Sequence, residues 1–117
     1  ASFNAMPLSF TFPPVTEELL SVVVRRILSV GSPKKIMLFG SRAKGTARPD
    51  SDLDFLIIED SDLPRYRRSA RYRRALCGLF PAKDIMVWTP QEILDWQAVP
   101  NAFISRVLAE GKVLYER

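Results

Sequence analysis

Two continuous apolar runs, joined by a segment rich in glycine, hydroxyl and charged side chains, constrain the fold of this chain most strongly. The runs cover residues 36–39 and 55–58 and lack the polar alternation of a half-exposed strand. Continuous apolar runs of this length are typical of strands that are covered on both faces. Gly40 and Ser41 directly follow the first run, and Asp54 directly precedes the second. The sequence therefore predicts two buried strands with a polar turn between them.

Helical and strand patterns alternate along the rest of the chain. Thr16 can cap a first helix that ends at Gly31, and Thr89 with Glu92 forms a capping-box pattern before a later helix. The patterns predict strands over 34–39, 52–58, 83–88 and 112–115, and further helices over 63–79, 90–96 and 100–110. This alternation predicts an α/β or α+β fold in which helices flank a small mixed sheet.

Length and composition limit the class of protein. The 117 residues fit one domain, which we expect to span residues 6–117, with Met6 as the natural start after an added remnant at 1–5. The single cysteine, Cys77, excludes an internal disulfide and fits a reducing compartment. No apolar run is long enough to span a bilayer, and no signal-peptide pattern is visible at the N-terminus. We therefore expect a cytoplasmic protein that does not contact a membrane.

Aspartates are the candidate catalytic side chains. The chain contains no histidine, which excludes histidine general bases, serine triads and the common zinc sites. Asp52 and Asp54 are two residues apart on a predicted strand and would point to the same face. Asp84 begins the next predicted strand, so the three carboxylates would converge if these strands are neighbours. Such a group can hold two Mg²⁺ ions about 3.5–4 Å apart, while the small backbone at Gly40 and Ser41 suits the phosphates of a nucleoside triphosphate.

Together these residues resemble the signature of the minimal nucleotidyltransferases, which belong to the DNA polymerase beta-like nucleotidyltransferase superfamily. The resemblance covers roughly residues 36–88 and rests on the segment 40–45, the segment 51–54 and Asp84. It implies a polymerase beta palm-like fold and the transfer of a nucleoside monophosphate, often AMP from ATP, to a hydroxyl group. Gly40 and Ser41 would then bind the triphosphate. Asp52, Asp54 and Asp84 would hold magnesium, and Asp84 could also take the proton of the attacking hydroxyl.

The resemblance also implies a partner protein. Many members of the family are antitoxins paired with a HEPN-type RNase toxin, which some of them adenylylate on tyrosine. The turn, the metal ligands and the sheet use most of the chain, so the acceptor must come from another chain or from a second copy of this one. We expect a separate partner protein. Two alternatives stay open. One is a non-catalytic module of the same fold that neutralises its partner by contact, and the other is nucleotidyl transfer to RNA or to a small molecule.

The basic residues are concentrated in one segment. Six arginines lie between residues 65 and 74, and no acidic residue lies among them. On a continuous helix Arg67, Arg71 and Arg74 would share one face. This face could be a solvated surface, or it could bind an acidic partner or RNA.

Some further side chains have two plausible roles each. Arg42 and Lys44 flank the glycine-serine turn, and each could contact phosphate or solvent; we retain Arg42 as a nucleotide-binding candidate. Tyr66 could stack on a base, but we predict that it packs in the core. Trp88 and Trp96 are also predicted to be packing residues.

Overall fold

Strands from distant parts of the chain form one mixed sheet. The computed structural model describes residues 17–40, 53–79, 84–100 and 102–117. Within these residues β1 (Lys35–Phe39) pairs antiparallel with β2 (Asp54–Ile58) and with β4 (Lys112–Glu116), and β2 pairs in parallel with β3 (Asp84–Trp88). The strand order is β3-β2-β1-β4. The predicted α/β class with a small mixed sheet is confirmed.

The helices begin and end largely where local signals predict. They are α1 (Glu17–Val30), α2 (Arg65–Arg68), α3 (Ala70–Leu76), α4 (Pro90–Trp96) and α5 (Phe103–Glu110). The predicted capping box is present at α4, because the Thr89 hydroxyl accepts from the Glu92 N–H and the Glu92 carboxylate accepts from the Thr89 N–H. The predicted start at residue 100 is too early for α5, since Ala102 has extended backbone (φ −71°, ψ 147°). The predicted cap Thr16 lies outside the described residues.

Helices cover both faces of the sheet. Successive strand residues point to opposite faces and divide between two apolar clusters. The first cluster, under α1 and α3, contains Leu20, Val23, Ile27, Ile36, Leu38, Leu53, Phe55, Ile57, Tyr72, Leu76, Ile85 and Val87. The second, under α5, contains Met37, Phe39, Leu56, Ile58, Trp88, Ile104 and Val107. This two-sided burial explains why the strands are continuous apolar runs.

The helix predicted over residues 63–79 is interrupted. Ser69 separates α2 from α3. Just before it, the buried Arg68 guanidinium donates to the Leu63 carbonyl (2.8 Å) and to the Val87 carbonyl (3.1 Å). The bond to Val87 anchors the end of α2 to β3, whereas α3 packs on α1. The break at Ser69 is therefore a consequence of tertiary packing, which helix propensity does not describe.

The predicted burial of the large aromatic side chains is right at one position and wrong at two. Trp88 is buried in the second cluster, as predicted. Tyr66 is 83% exposed and Trp96 is 48% exposed, so neither is a core residue. The buried position of α2 is occupied by Arg68 instead of Tyr66. In the described part of the chain, no helix has the length and apolar character needed to cross a bilayer.

Candidate active site

Two of the predicted carboxylates lie side by side on neighbouring strands. The parallel register pairs Asp54, at the start of β2, with Asp84, at the start of β3. The Asp84 N–H donates to the Leu53 carbonyl (3.1 Å), which extends this register to the strand ends. Paired residues point to the same face, and neighbouring strands lie roughly 4.8 Å apart. The structure therefore brings two like charges together on one face, at one end of the sheet.

Gly40 brings the end of β1 against one of these carboxylates. The antiparallel register places Phe39 opposite Asp54, and Gly40 follows with a φ of +81°. A Cβ added at Gly40 would lie 2.6 Å from Oδ2 of Asp54. Both the left-handed backbone and the lack of space therefore select glycine at this position. The predicted phosphate turn thus starts beside the carboxylate pair.

Asp84 faces solvent and a basic side chain on α3. Its side chain is 65% exposed, and Nη2 of Arg73 lies 3.9 Å from its Oδ1. An ion pair this exposed contributes little to stability, so Asp84 stays accessible to a ligand. Sequence reasoning missed Arg73 as a neighbour of the site, because nothing distinguishes it within the arginine run. Arg73 is distinguished from the other arginines only by the position of α3 relative to the start of β3.

The other predicted site residues cannot be placed. Asp52, Ser41 and Arg42 lie outside the described residues, as does Lys44. Among the residues that are described, no three potential metal-ligating side chains form a group. The two carboxylates that are described fit Mg²⁺, because they are hard oxygen donors and a divalent cation relieves their mutual repulsion. Their assignment as metal ligands stays a prediction.

The predicted arginine face is only partly available to a partner. Arg71 donates to the buried carboxylate of Glu59 (2.5 Å), and the Tyr72 hydroxyl donates to the same carboxylate (2.5 Å). Burial raises the pKa of Tyr72, and the hydrogen bond to Glu59 raises it further. Glu59 follows β2, so this group lies at the opposite end of the sheet from Asp54. We interpret it as structural, and Arg71 is therefore not a free neighbour of Arg67 and Arg74.

Two further arginines, Arg68 and Arg65, connect α2 to Glu92 in the first turn of α4. The Arg68 guanidinium donates to Glu92 Oε1 (2.7 Å), and Arg65 lies 3.4 Å from Oε2 of the same carboxylate. Burial alone would raise the pKa of Glu92. The hydrogen bonds from Arg68 and from the Thr89 N–H, together with the charges of Arg68 and Arg65, outweigh burial and lower the pKa to about 2. Glu92 is therefore ionised across the physiological range.

Comparisons with known proteins assign the chain to a family. The family described as polymerase beta, nucleotidyltransferase matches residues 24–117. A protein of Methanocaldococcus jannaschii, named as a candidate protein adenylyltransferase, is 36% identical over 88 residues, which cover 73% of this chain and 81% of that protein. The chain therefore belongs to the polymerase beta nucleotidyltransferase family and is a nucleotidyltransferase.

Solved structures support the same fold. A crystal structure of a candidate nucleotidyltransferase from Sulfolobus solfataricus matches with a TM-score of 0.61 and 19% identity, over 86% of this chain and 80% of that one. A structure described as a toxin-antitoxin with AMP-PNP matches with a TM-score of 0.56 and 19% identity, over 88% of this chain and 75% of that one. At this identity the matches establish the fold, which agrees with the predicted nucleotidyltransferase architecture.

Proposed function

We propose that this nucleotidyltransferase moves AMP from ATP onto a hydroxyl group of a partner protein, with Mg²⁺ held by Asp52, Asp54 and Asp84. The hydroxyl oxygen bonds to the α-phosphorus as the bond to the β-phosphate breaks, and pyrophosphate leaves. The observation that carries the proposal is the register that sets Asp54 beside Asp84, with Gly40 against the Asp54 carboxylate. The name of the Methanocaldococcus jannaschii relative supports protein as the acceptor. The bound AMP-PNP in the name of the toxin-antitoxin structure supports an adenine nucleotide.

Each residue of the site has a distinct task in this mechanism. When bound, Mg²⁺ would lower the pKa of the acceptor hydroxyl and neutralise charge on the triphosphate. Gly40 lets the phosphates approach the backbone closely. Ser41 and Arg42 bind the phosphates together with it. Asp54 and Asp84 would hold the metal, whose charge would orient the phosphates and the acceptor hydroxyl. The exposed carboxylate of Asp84 is the group that accepts the proton of the hydroxyl. Positioning and charge stabilisation then supply most of the rate enhancement.

The acceptor side of the site suits a macromolecule. β3 is an edge strand of the described sheet, and Asp84 at its start is exposed. A hydroxyl presented by a second chain can therefore reach this carboxylate from solvent. The likeness to a toxin-antitoxin structure supports a toxin as that chain. The HEPN type of the toxin, with this protein acting in the cytoplasm as its antitoxin, follows from the family resemblance of the sequence. The exposed thiol of Cys77, which is free, fits such a reducing compartment.

Label transfer tests the proposal directly. The protein is incubated with α-labelled ATP, Mg²⁺ and the protein encoded beside it in the genome, and label on that neighbour is measured. Asp54→Asn and Asp84→Asn are expected to lower the transfer rate at least a hundredfold, since each removes a charge that acts on the reacting groups. Asp60→Asn is the matched control, because it removes an exposed carboxylate beyond the opposite end of β2.

The same experiment separates the alternatives. Neutralisation of the neighbour that survives both substitutions without any label would establish a contact-only antitoxin instead of an enzyme. Label on added RNA instead of the neighbour would assign the acceptor to RNA. In that case Arg67 and Arg74 become the first contacts to test, because Arg71 is bonded to Glu59.

A further inference from the structure

A small cavity adjoins the site on the side away from Asp84. Its volume is about 160 Å³, and its lining residues are Phe39, Gly40, Phe103, Arg106, Val107 and Glu110. In the sheet, β2 lies between β3 and β1. The cavity and Asp84 therefore flank Asp54 from opposite sides. The mechanism described above uses none of the α5 residues that line this cavity.

Phe103 lines the cavity with an aromatic ring that is packed on one side and partly exposed. Phe103 is 42% exposed, and its ring packs nearly perpendicular to the ring of the buried Phe39, with 5.6 Å between the centroids and 81° between the planes. This contact orients the Phe103 ring and leaves part of it uncovered. Every nucleobase has a flat π-face, and a positioned aromatic ring is the side chain that bases stack on.

Polar groups from the same helix reach the cavity. Arg106 and Glu110 are four residues apart on α5, so they lie on one face of the helix. A guanidinium can stack on a base or donate to its ring nitrogens, and a carboxylate can accept from an exocyclic amino group. Aromatic and apolar walls with a few placed polar groups are the usual composition of a small-ligand site.

We propose that this cavity binds the nucleobase of the nucleoside triphosphate, with Phe103 as the stacking platform. The inference rests on the proposed function and deepens it. Gly40 borders both the cavity and the Asp54 carboxylate, so a base in the cavity leaves its phosphates at the glycine turn. The side of the site at Asp84 stays open for the acceptor hydroxyl.

Two ligands that share phosphates but differ in the base test the inference. Isothermal titration calorimetry measures the Kd of ATP and of inorganic tripolyphosphate, each with Mg²⁺. Phe103→Ala is expected to weaken ATP binding roughly 5- to 100-fold and to leave tripolyphosphate binding unchanged. Phe103→Tyr keeps the ring and is expected to retain ATP affinity. Leu94→Ala is the matched control, because it removes a 61% exposed apolar side chain from α4, outside the cavity.

Each contrary result has a defined meaning. ATP affinity that is unchanged in Phe103→Ala, or equal weakening of both ligands, overturns the nucleobase assignment. Unchanged ATP affinity with reduced label on the partner would assign Phe103 to the protein interface instead. A wild-type protein that binds neither ligand overturns the proposed function as well. A wild-type protein that binds ATP while Phe103→Ala has no effect overturns this inference alone.

Discussion

Gly40 shows how one residue is selected by two independent constraints. Its φ of +81° is unfavourable for any other residue, and a Cβ there would meet the Asp54 carboxylate at 2.6 Å. Gly78 has a similar φ of +85°, but a Cβ there would have nothing within 4 Å. The two glycines therefore separate the cost of the backbone conformation from the cost of crowding the site. The sequence predicted a turn at Gly40, but it could not reveal the contact with Asp54.

Alanine substitutions at these two glycines have different expected consequences. Both Gly40→Ala and Gly78→Ala should lose about 1–2 kcal/mol of unfolding free energy from the left-handed backbone. Gly40→Ala should also displace Asp54 and slow nucleotidyl transfer roughly a hundredfold, because small misplacements at a reacting centre are costly. Urea denaturation and initial rates of label transfer measure the two effects. Wild-type transfer by Gly40→Ala would show that the close contact with Asp54 is not needed.

The contact between α2, β3 and α4 is centred on the ion pair of Arg68 with Glu92. The Arg68 guanidinium bonds to the Val87 carbonyl and to the Glu92 carboxylate, which is also the capping-box residue of α4. The capping pattern was readable from the sequence, since it depends on residues three positions apart. The partnership of Arg68 with Glu92 was not, because it joins residues 24 positions apart. For the same reason the break at Ser69 could not be expected from local patterns.

The pH dependence of stability tests this contact. Folding lowers the pKa of Glu92 from 4.5 to about 2. Its contribution, about 3 kcal/mol, is therefore fully present above pH 4.5 and is lost as the pH falls toward 2. The difference in unfolding free energy between the wild type and Glu92→Gln should shrink over this interval in urea titrations. Asp95→Asn, an exposed carboxylate on the same helix, controls for net charge. A difference that stays constant with pH would refute the role of the ion pair.

Burial of both faces of the sheet confines the candidate site to the ends of the strands. Both faces carry apolar clusters, so the polar residues of the candidate site lie at the strand ends. The end that holds Gly40, Asp54 and Asp84 carries the candidate site, whereas the other end holds the Glu59 group with Tyr72. Because the candidate site residues belong to different strands, binding of nucleotide and metal requires the folded sheet and should stabilise it.

Ligand-dependent stability measures this coupling in the whole molecule. A ligand that binds only the folded state adds about 2.7 kcal/mol at a hundred times its Kd. ATP with Mg²⁺ should therefore raise the melting temperature of the wild type, and EDTA should remove most of the increase. Asp54→Asn should lose the increase, whereas Asp60→Asn, beyond the other end of β2, should keep it. An equal increase in EDTA would show that nucleotide binds without a metal.

Local patterns were sufficient for the elements and for the candidate chemistry. Apolar runs, caps and turn residues act between near neighbours in the chain, so the strands and most helix boundaries could be predicted without a structure. The same local patterns named Gly40 and the aspartates as candidates. Which side chains meet was decided by strand order and helix packing. These set Asp54 opposite Asp84, paired Arg68 with Glu92 and Arg71 with Glu59, exposed Tyr66, and brought Phe103 beside Gly40. Such contacts join residues far apart in the chain, and no local preference determines them.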